Sequence, residues 1–517
     1  MRFPMTDAAL SNLMKSAFGA GLLGYRVDDM DAVGRPLAEA VRERISSADF
    51  GATGDGTTDE TSCLRNAVRC AYENQATLDL TPGVHLVSGS IAPNKQGPPL
   101  REGFSIRGVG SGAPLWRTGT MPCVLKARPD FPAGEAILDL RWMRRTNVEN
   151  IGLDGSLCVD QDGLPAAIGV VYGQGQGEVV DHYYASRHLI SGCAIHKFYR
   201  GVVAADVGQL KMLFISVSDC SNVGIALRSW AGDFQLIGNN VHTTRWDDNA
   251  SPPYYTGTDL ATGAGIMLAH VSGNGMVIGG KIEYNSKGIL VYGSQGIQIL
   301  GVQFDTNAWA NIMVAPETTF GGGMADGIVI AACRMLCGGL YYCEDTFWGG
   351  ASIHVKSETD KWASVVIAGN SIHKGASGTA WDFAPEDLPS HPAGPITAGI
   401  RVGAAGGECD VCVEGNDMKY ASLMNAILAE GAKARVYASG NMTNLPFTAS
   451  GEGRIYTSMA GGTARQESYG TAPPVSGDFD VKDIRWNTAA AGTGWIGWVC
   501  TAPGNPGTWK GFGLIEP

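Results

Sequence analysis

Apolar positions along this chain come in short runs and never in long stripes. The segments "LISGCAIHKF", "LIGNNVHTT", "VIGGKIEYN", "ILGVQFDTN", "VIAGNSIHKG" and "CVEGNDMKY" share one layout: an aliphatic pair or run, a Gly, Cys or Gly-Asn turn, one more apolar residue, and a polar turn. A helix needs apolar residues three and four apart over a longer window, whereas short β-branched runs between Gly and Asn turns predict strands. "KIEYN" and "VQFDTN" superimpose at a spacing of 305 − 283 = 22 residues. Recurrence near that period, stretched by insertions, marks a solenoid in which each repeat buries its apolar face on its neighbours. Leucine-rich repeats would show a Leu-x-x-Leu-x-Leu frame and propeller blades roughly forty residues per unit; the chain has neither.

An all-β right-handed parallel β-helix over residues 46–460 meets these requirements. Asn239, Asn370, Asn416 and Asn441 recur at equivalent turns, which predicts a ladder of amides bonding from coil to coil. Ahead of the repeats, "SSADFGATGDGTTDETSCLRNAVRCAYENQATLDLTPGVHLVSGSI" reads as a tight turn, a helix capped near Asp59 with Leu64, Ala67, Val68 and Ala71 on one face, and a strand after "TPG". Such a helix beside the first coil closes the open end of a solenoid. The acids of "GDGTTDE" lack the glutamate that a twelve-residue calcium loop places last, so they read as turn and cap. Residues 461–517 gather Trp486, Trp495, Trp498 and Trp509 into a Pro- and Gly-rich β module, where aromatics serve as core, as contact between chains, or as platforms for sugar rings. Residues 1–45 form a separate neck or docking segment, in which "GRPLAEAVRERI" reads as a short amphipathic helix.

Composition agrees with turns and little helical surface: 72 of 517 residues are Gly, about twice the usual share, and only 17% are charged. The net charge of −12 argues against nucleic acid or an anionic membrane surface as partner, though an acidic glycan in a locally basic groove is compatible with it. No stretch is long enough to predict membrane insertion. The apolar patch "AFGAGLLGY" near the start is a poor secretion signal, so folding in the cytoplasm is expected. Of the twelve Cys, Cys193, Cys220, Cys333 and Cys412 fall at apolar strand positions and read as free buried thiols, with zinc or disulfides as the alternatives. Neither a cofactor nor a metal is expected.

If one coil takes about 22 residues, positions one coil apart overlie each other at the strand spacing, roughly 4.8 Å. Glu283, after Ile282, and Asp305, after Phe304, then stack. The same slot holds His196, His242, His373 and Lys419, in a chain with nine histidines. Two stacked carboxylates repel, so one keeps its proton and can act as general acid while the other stays ionised. That division suits glycoside hydrolysis, retaining with carboxyl groups about 5–5.5 Å apart or inverting at about 6.5–9.5 Å. Glu283, Asp305 and His242 are therefore the catalytic candidates. The competing reading is that acid-x-Asn after an apolar residue only bonds the backbone of the next coil. The insertion "HTTRWDDNASPPYYTGTDLATGAGI" supplies Arg245, Trp246, Asp247, Asp248, Tyr254 and Tyr255, rings and charges suited to gripping a saccharide; with His373 these are the substrate-binding candidates. Asp154, Asp181 with His182, Asp219 and Asp233 read as structural.

"DFGATGDGTTDET", the helix and "TPGVHLVSGSI" together resemble the opening of the pectate-lyase-like right-handed β-helix superfamily, above all its phage tailspike branch. "AVGRPLAEAVRERISSADFGA" is similar to the lead-in of tailspikes, and the Trp-rich end to the small β modules of phage fibres and spikes. The resemblance implies a polysaccharide depolymerase acting on a bacterial surface polysaccharide, whether capsule, exopolysaccharide or O-antigen. It implies a homotrimer joined to the phage tail or baseplate through its N-terminus, located in the virion tail after synthesis in the host cytoplasm. Two acids in one column favour hydrolase over lyase. A lyase would need a uronate substrate, a base such as His, and often calcium or an arginine to neutralise the carboxylate; His242 and His373 keep that alternative open. A non-catalytic glycan-binding adhesin is the third reading. A secreted hydrolase of the polygalacturonase kind lacks support, since its Asn-Thr-Asp and Gly-His-Gly motifs are missing.

Overall fold

The computed structural model describes residues 24–25, 35–36, 44–93, 104–109, 121–173, 185–229, 231–242, 244, 262–271, 273–316, 324–336, 342–343, 348–349, 351–358, 361–373, 398–418, 425–431, 433–443, 447–450, 453–460, 463–477 and 479–516. Two compact units divide the chain, residues 1–196 and 197–517. Among the named candidates, the six insertion residues Arg245, Trp246, Asp247, Asp248, Tyr254 and Tyr255, together with Lys419, Asp181 and His182, lie outside the described residues.

In the second unit each coil of the parallel β-helix visits three sheets in turn. Sheet I runs from the strand Val207–Leu213 to Arg454–Ala460, sheet III from Arg200–Ala205 to Phe447–Ser450. Sheet II consists of Ser216–Ser218, Asn240–His242, Lys281–Glu283, Gln303–Asp305, Arg334–Leu336 and Ser371–His373. Each strand pairs in parallel with those one coil before and after, as successive sheet II pairs show. Because side chains alternate across a strand, one residue in two points into the bore. In sheet III that column is an uninterrupted isoleucine stack, Ile225, Ile266, Ile289, Ile312, Ile353, Ile400 and Ile427, in register and all at most 1% exposed. Full burial of one such side chain contributes roughly 1.5–3 kcal/mol, and the β-branch suits a pleated surface.

The turns explain the rest of the composition. Gly201, Gly224, Gly265 and Gly288 stack at the start of sheet III; a Cβ on any of them would meet a backbone oxygen of the next coil at 2.3–2.9 Å, so the coils close up only around glycine. The expected amide ladder is present: Asn416 Oδ1 accepts from Asn370 N and Nδ2, each 2.9 Å, while its Nδ2 donates to Ile367 O at 3.0 Å and Asn441 Oδ1 at 2.9 Å. Asn239 Oδ1 accepts from Ile215 N, one coil earlier, at 3.1 Å. Cys193 and Cys333 occupy the same kind of turn as free, buried thiols, their Sγ directed at Val148 O and Ile299 O. Cys409 and Cys412 have C-x-x-C spacing, but three residues apart on a strand they face opposite sides, and Cys409 alone is buried. Replacing Asn416 by Ala orphans Asn370 N and Ile367 O in the interior. The expected loss is about 1–3 kcal/mol per group, read as a lower denaturant midpoint.

In the first unit, Arg44–Ser46 opens a parallel series through Thr77–Leu80, Phe104–Gly108 and Thr146–Glu149 to Ala185–Ser191. Of the segment read as a helix from "GRPLAEAVRERI", Arg35–Pro36 pairs with Gly24–Tyr25 and Arg44 begins that first strand, so both its ends are extended. The helix Thr61–Glu73 buries Leu64, Ala67, Val68 and Ala71 as expected, and Asp59 Oδ1 accepts from Thr61 N at 3.0 Å. Asp55 is spent inside its own turn, on Thr57 N and Thr58 N. Glu60, unremarked in the sequence pattern, is the hub of this end. Its Oε1 accepts from Thr53 N (2.6 Å), Thr53 Oγ1 (2.8 Å) and Gly54 N (2.9 Å), and its Oε2 lies 2.5 Å from His85 Nδ1.

At the C-terminal end Ile484–Asn487, Trp495–Ala502 and Thr508–Leu514 form an antiparallel meander. Trp486 donates to Glu467 Oε2 at 3.0 Å and Trp509 to Pro506 O at 2.7 Å. Their rings pack edge-on against Phe512 and Phe479. These two tryptophans are half-buried within the module, while Trp495 is 43% exposed.

Candidate active site

Sheet II carries the column expected from the sequence. Val217, Val241, Ile282, Phe304, Met335 and Ile372 point inward, none more than 1% exposed, so their neighbours on either side must point outward. One outward column reads Ser218, His242, Glu283, Asp305, Leu336, His373 and the other Ser216, Asn240, Lys281, Gln303, Arg334, Ser371, each in unshifted register. Six strands span about 24 Å at the strand spacing, a polar strip as long as several sugar units.

The structure brings His242, Glu283 and Asp305 together on three consecutive coils. His373 is farther than the slot pattern implied: the coil ending in Leu336 intervenes, which puts His373 two coils, roughly 10 Å, from Asp305. There its Nε2 lies 2.5 Å from Ser371 Oγ. His196 takes the slot within the first unit, in register with Asp154. Asp154 pairs with Lys126 at 2.9 Å. Burial alone would raise its carboxyl, but Lys126 and Ser156 hold it below the ordinary value.

The motif acid-x-Asn splits in two. Asn285 and Asn307 turn inward and are fully buried: Asn285 Oδ1 accepts from Thr244 N at 3.0 Å, Asn307 Oδ1 accepts from Asn285 N at 3.2 Å and Nδ2 at 3.1 Å, and Asn307 Nδ2 donates to Ile282 O at 3.0 Å. The coil-to-coil bonding is thus done by the amides, and the acids stand on the outer face. Between acid and amide sits one left-handed residue, Tyr284 at φ 54° and Thr306 at φ 49°. A β-branched residue there is strained, and Thr306 Oγ1 donates to Asp305 Oδ1 at 2.9 Å.

The two carboxyls differ in burial and in partners. Glu283 is 3% exposed and lies 2.5 Å from Lys281 Nζ, two residues back on the same face. Asp305 is half-buried, with its hydrogen bond from Thr306 on one oxygen. Lys281 was missed by the sequence reading, although period-two alternation from Glu283 would have found it.

No family model matches the chain, and no curated protein matches it. Among solved structures it is similar to the catalytic unit of a thermostable GH87 alpha-1,3-glucanase from Streptomyces thermodiastaticus strain HF3-3, at 14% identity and TM-score 0.55, over 81% of this chain and 68% of that one. It is also similar to a mutant tailspike protein of E. coli bacteriophage HK620 in complex with pentasaccharide, at 11% identity and TM-score 0.55, over 84% and 73%. The Dettilon tailspike protein aligns at 14% identity and TM-score 0.50, over 87% and 74%. These neighbours are parallel β-helix proteins, and the likeness establishes that fold for this chain.

Proposed function

We propose that this chain is a phage tailspike that binds a bacterial surface polysaccharide and depolymerises it by glycoside hydrolysis. The observation that carries the reading is the unshifted register Glu283–Asp305 on the outer face of sheet II, with His242 and Lys281 beside it. In this reading Glu283, ionised beside Lys281, is the nucleophile or base, and Asp305 protonates the departing glycosidic oxygen. Strands one coil apart, about 4.8 Å, lie near the retaining separation and short of the inverting one. The tailspike and glucanase neighbours support a polysaccharide substrate.

Sheet I offers a surface suited to assembly. Its outward column holds Leu213, Ile237, Ile278 and Leu300 in register, all half-exposed, and Phe214 beside them is 63% exposed. A continuous aliphatic stripe on a parallel β-helix is suited to contact with identical chains, which supports the homotrimer. In the same reading residues 1–45 dock the spike to the tail or baseplate, 461–517 close its far end, and the insertion residues Arg245 to Tyr255 grip the glycan. Among the described residues no helix is long and apolar enough to cross a membrane.

The test is incubation of the purified chain with capsule, exopolysaccharide and lipopolysaccharide, followed by a reducing-end assay and the anomeric configuration of the first product. New reducing ends without ultraviolet absorbance support hydrolysis. A product bearing an absorbing double bond would instead establish a lyase, and bound but uncut polymer an adhesin.

A further inference from the structure

Successive coils of the second unit turn from sheet I into sheet II through one left-handed residue each. From Gly238 through Gly279, Gly301 and Gly369 to Gly440 that column holds only glycine and one alanine, Ala332, at φ 54–64°. Its first member is Phe214, at φ 52°. The ladder fixes the slot: Phe214 N donates to Ile237 O and Gly238 N to Ile278 O, each at 2.9 Å, as Gly279 N does to Leu300 O. A bulky side chain in this conformation is an outlier, and the left-handed region handicaps the folding equilibrium by a factor of about 5–30. Burial does not offset that handicap, because Phe214 is 63% exposed. Its ring touches the next coil along one edge: a Cβ on Gly238 would meet Phe214 Cδ1 at 2.5 Å and Cε1 at 2.6 Å, so only glycine leaves room for it.

Strain held at an exposed position points to function rather than to stability. Contact between chains does not call for it, since Leu213, Ile237, Ile278 and Leu300 offer apolar area from ordinary strand positions. Past Gly238 the turn column is bare: a Cβ on Gly279 or Gly301 would meet nothing within 4 Å. This strip of backbone runs between the aliphatic column of sheet I and the column Asn240, Lys281, Gln303 of sheet II. Gly279 and Gly301 belong to the coils that carry Glu283 and Asp305, two and three coils from Phe214, or roughly 10 and 15 Å. That is the reach of a few sugar units. A pyranose is apolar on its C–H face and polar at its rim, which matches an exposed aromatic ring beside amides and an ammonium. We infer that Phe214 is a platform on which one unit of the polysaccharide stacks, holding the polymer along the glycine-floored strip so that a bond farther on reaches Glu283 and Asp305. The inference rests on the reading of the chain as a polysaccharide-binding protein and adds a binding residue away from the cleaved bond.

The experiment compares Phe214→Gly, Phe214→Leu and Phe214→Trp in the full chain, by binding to immobilised capsule, exopolysaccharide and lipopolysaccharide, by cleavage kinetics, and by mass in solution from light scattering. Loss of one stacked ring predicts polymer binding about three- to tenfold weaker in Phe214→Gly and Phe214→Leu. KM should rise by the same factor with kcat unchanged, the mark of binding made equally in ground and transition states. Phe214→Trp keeps an aromatic face and should retain wild-type binding. Phe214→Gly relieves the strain at φ 52°, so its melting temperature should not fall. Leucine is the discriminating variant, because it keeps apolar bulk for a protein contact and has no aromatic face. Wild-type affinity in either Phe214→Gly or Phe214→Leu would overturn the inference. So would a fall in mass in Phe214→Gly that Phe214→Leu restores, which identifies a contact between chains. Glu283→Gln separates the platform from the cleavage reading: that variant should bind polymer as wild type does. Cleavage indifferent to Phe214 refutes the platform alone, Phe214-dependent binding without cleavage refutes cleavage alone, and a chain that binds none of the polymers refutes both.

Discussion

Glu283→Gln and Asp305→Asn are each expected to lower the rate of polysaccharide cleavage by about 10²–10⁴-fold, with little change in KM. Both substitutions keep volume and hydrogen-bonding shape and remove only the proton-transfer or nucleophilic capacity, so the loss should fall on kcat. The two differ in side effects. Glu283 is buried against Lys281, and neutralising it leaves an ammonium beside an amide, so Glu283→Gln should also lower the melting temperature. Asp305 is half-buried, and Asp305→Asn keeps an oxygen that can accept from Thr306, so its melting temperature should hold. The double variant should be no slower than the worse single one, because groups that act as a unit lose activity non-additively. Additive losses, or full activity in either single variant, would remove the pair from the chemistry. Thr306→Gly supplies a milder check: it relieves the left-handed strain at φ 49° and removes the hydroxyl that donates to Asp305, so it should raise the melting temperature while leaving the carboxyl pair in place.

The 22-residue spacing was legible because the coil from Glu283 to Asp305 carries no insertion, and one uninterrupted turn of the solenoid fixes which side chains overlie. The same logic weakens wherever a loop intervenes. From Asp305 to Leu336 is 336 − 305 = 31 residues, and the slot there is aliphatic, so the coil between Asp305 and His373 left no polar signal. His354 and Arg401 are adjacent in the sheet yet 401 − 354 = 47 residues apart, more than two nominal periods, so their adjacency has no trace in periodicity. Alternation is equally informative but local: it separates Ile282 from Glu283 and Lys281, whereas whether an outward residue is open or covered depends on what packs over the sheet. Glu283 at 3% exposure and Asp305, half-buried one coil on, follow the same pattern with different environments. The amides were read correctly at Asn370, Asn416 and Asn441 because a buried turn needs a group that both donates and accepts. The Glu60–His85 pair belongs to no repeat, and composition conceals it among seven exposed-looking residues of "GDGTTDE".

Removing that pair should be the largest single loss of stability in the first unit. Glu60 is 2% exposed, and His85 is fully buried. Glu60→Ala orphans Thr53 N and Gly54 N and leaves the imidazole without its carboxylate; breaking a buried pair of this kind costs about 3–5 kcal/mol. His85 Nε2 lies 2.8 Å from Thr81 O, and Nδ1 faces Glu60 Oε2. Both ring nitrogens therefore face oxygens of this cluster. Burial alone would raise the Glu60 carboxyl, but hydrogen bonds from Thr53, His85 and Gly54 outweigh it and hold it below its ordinary value. A carboxyl lowered on folding binds fewer protons in the folded state, so its stabilisation is complete above the unfolded value and is lost as pH falls through the folded one. Wild-type stability should therefore decline below about pH 4, and Glu60→Gln, which has no proton to gain, should decline less steeply. Asp59 titrates in the same window, since Ser88 and Thr61 overcome its burial, so the difference in slope between wild type and Glu60→Gln isolates Glu60. Urea midpoints measured from pH 3 to 7 read that difference, and parallel slopes would mean that the hydrogen bonds to Glu60 do not stabilise its ionised form.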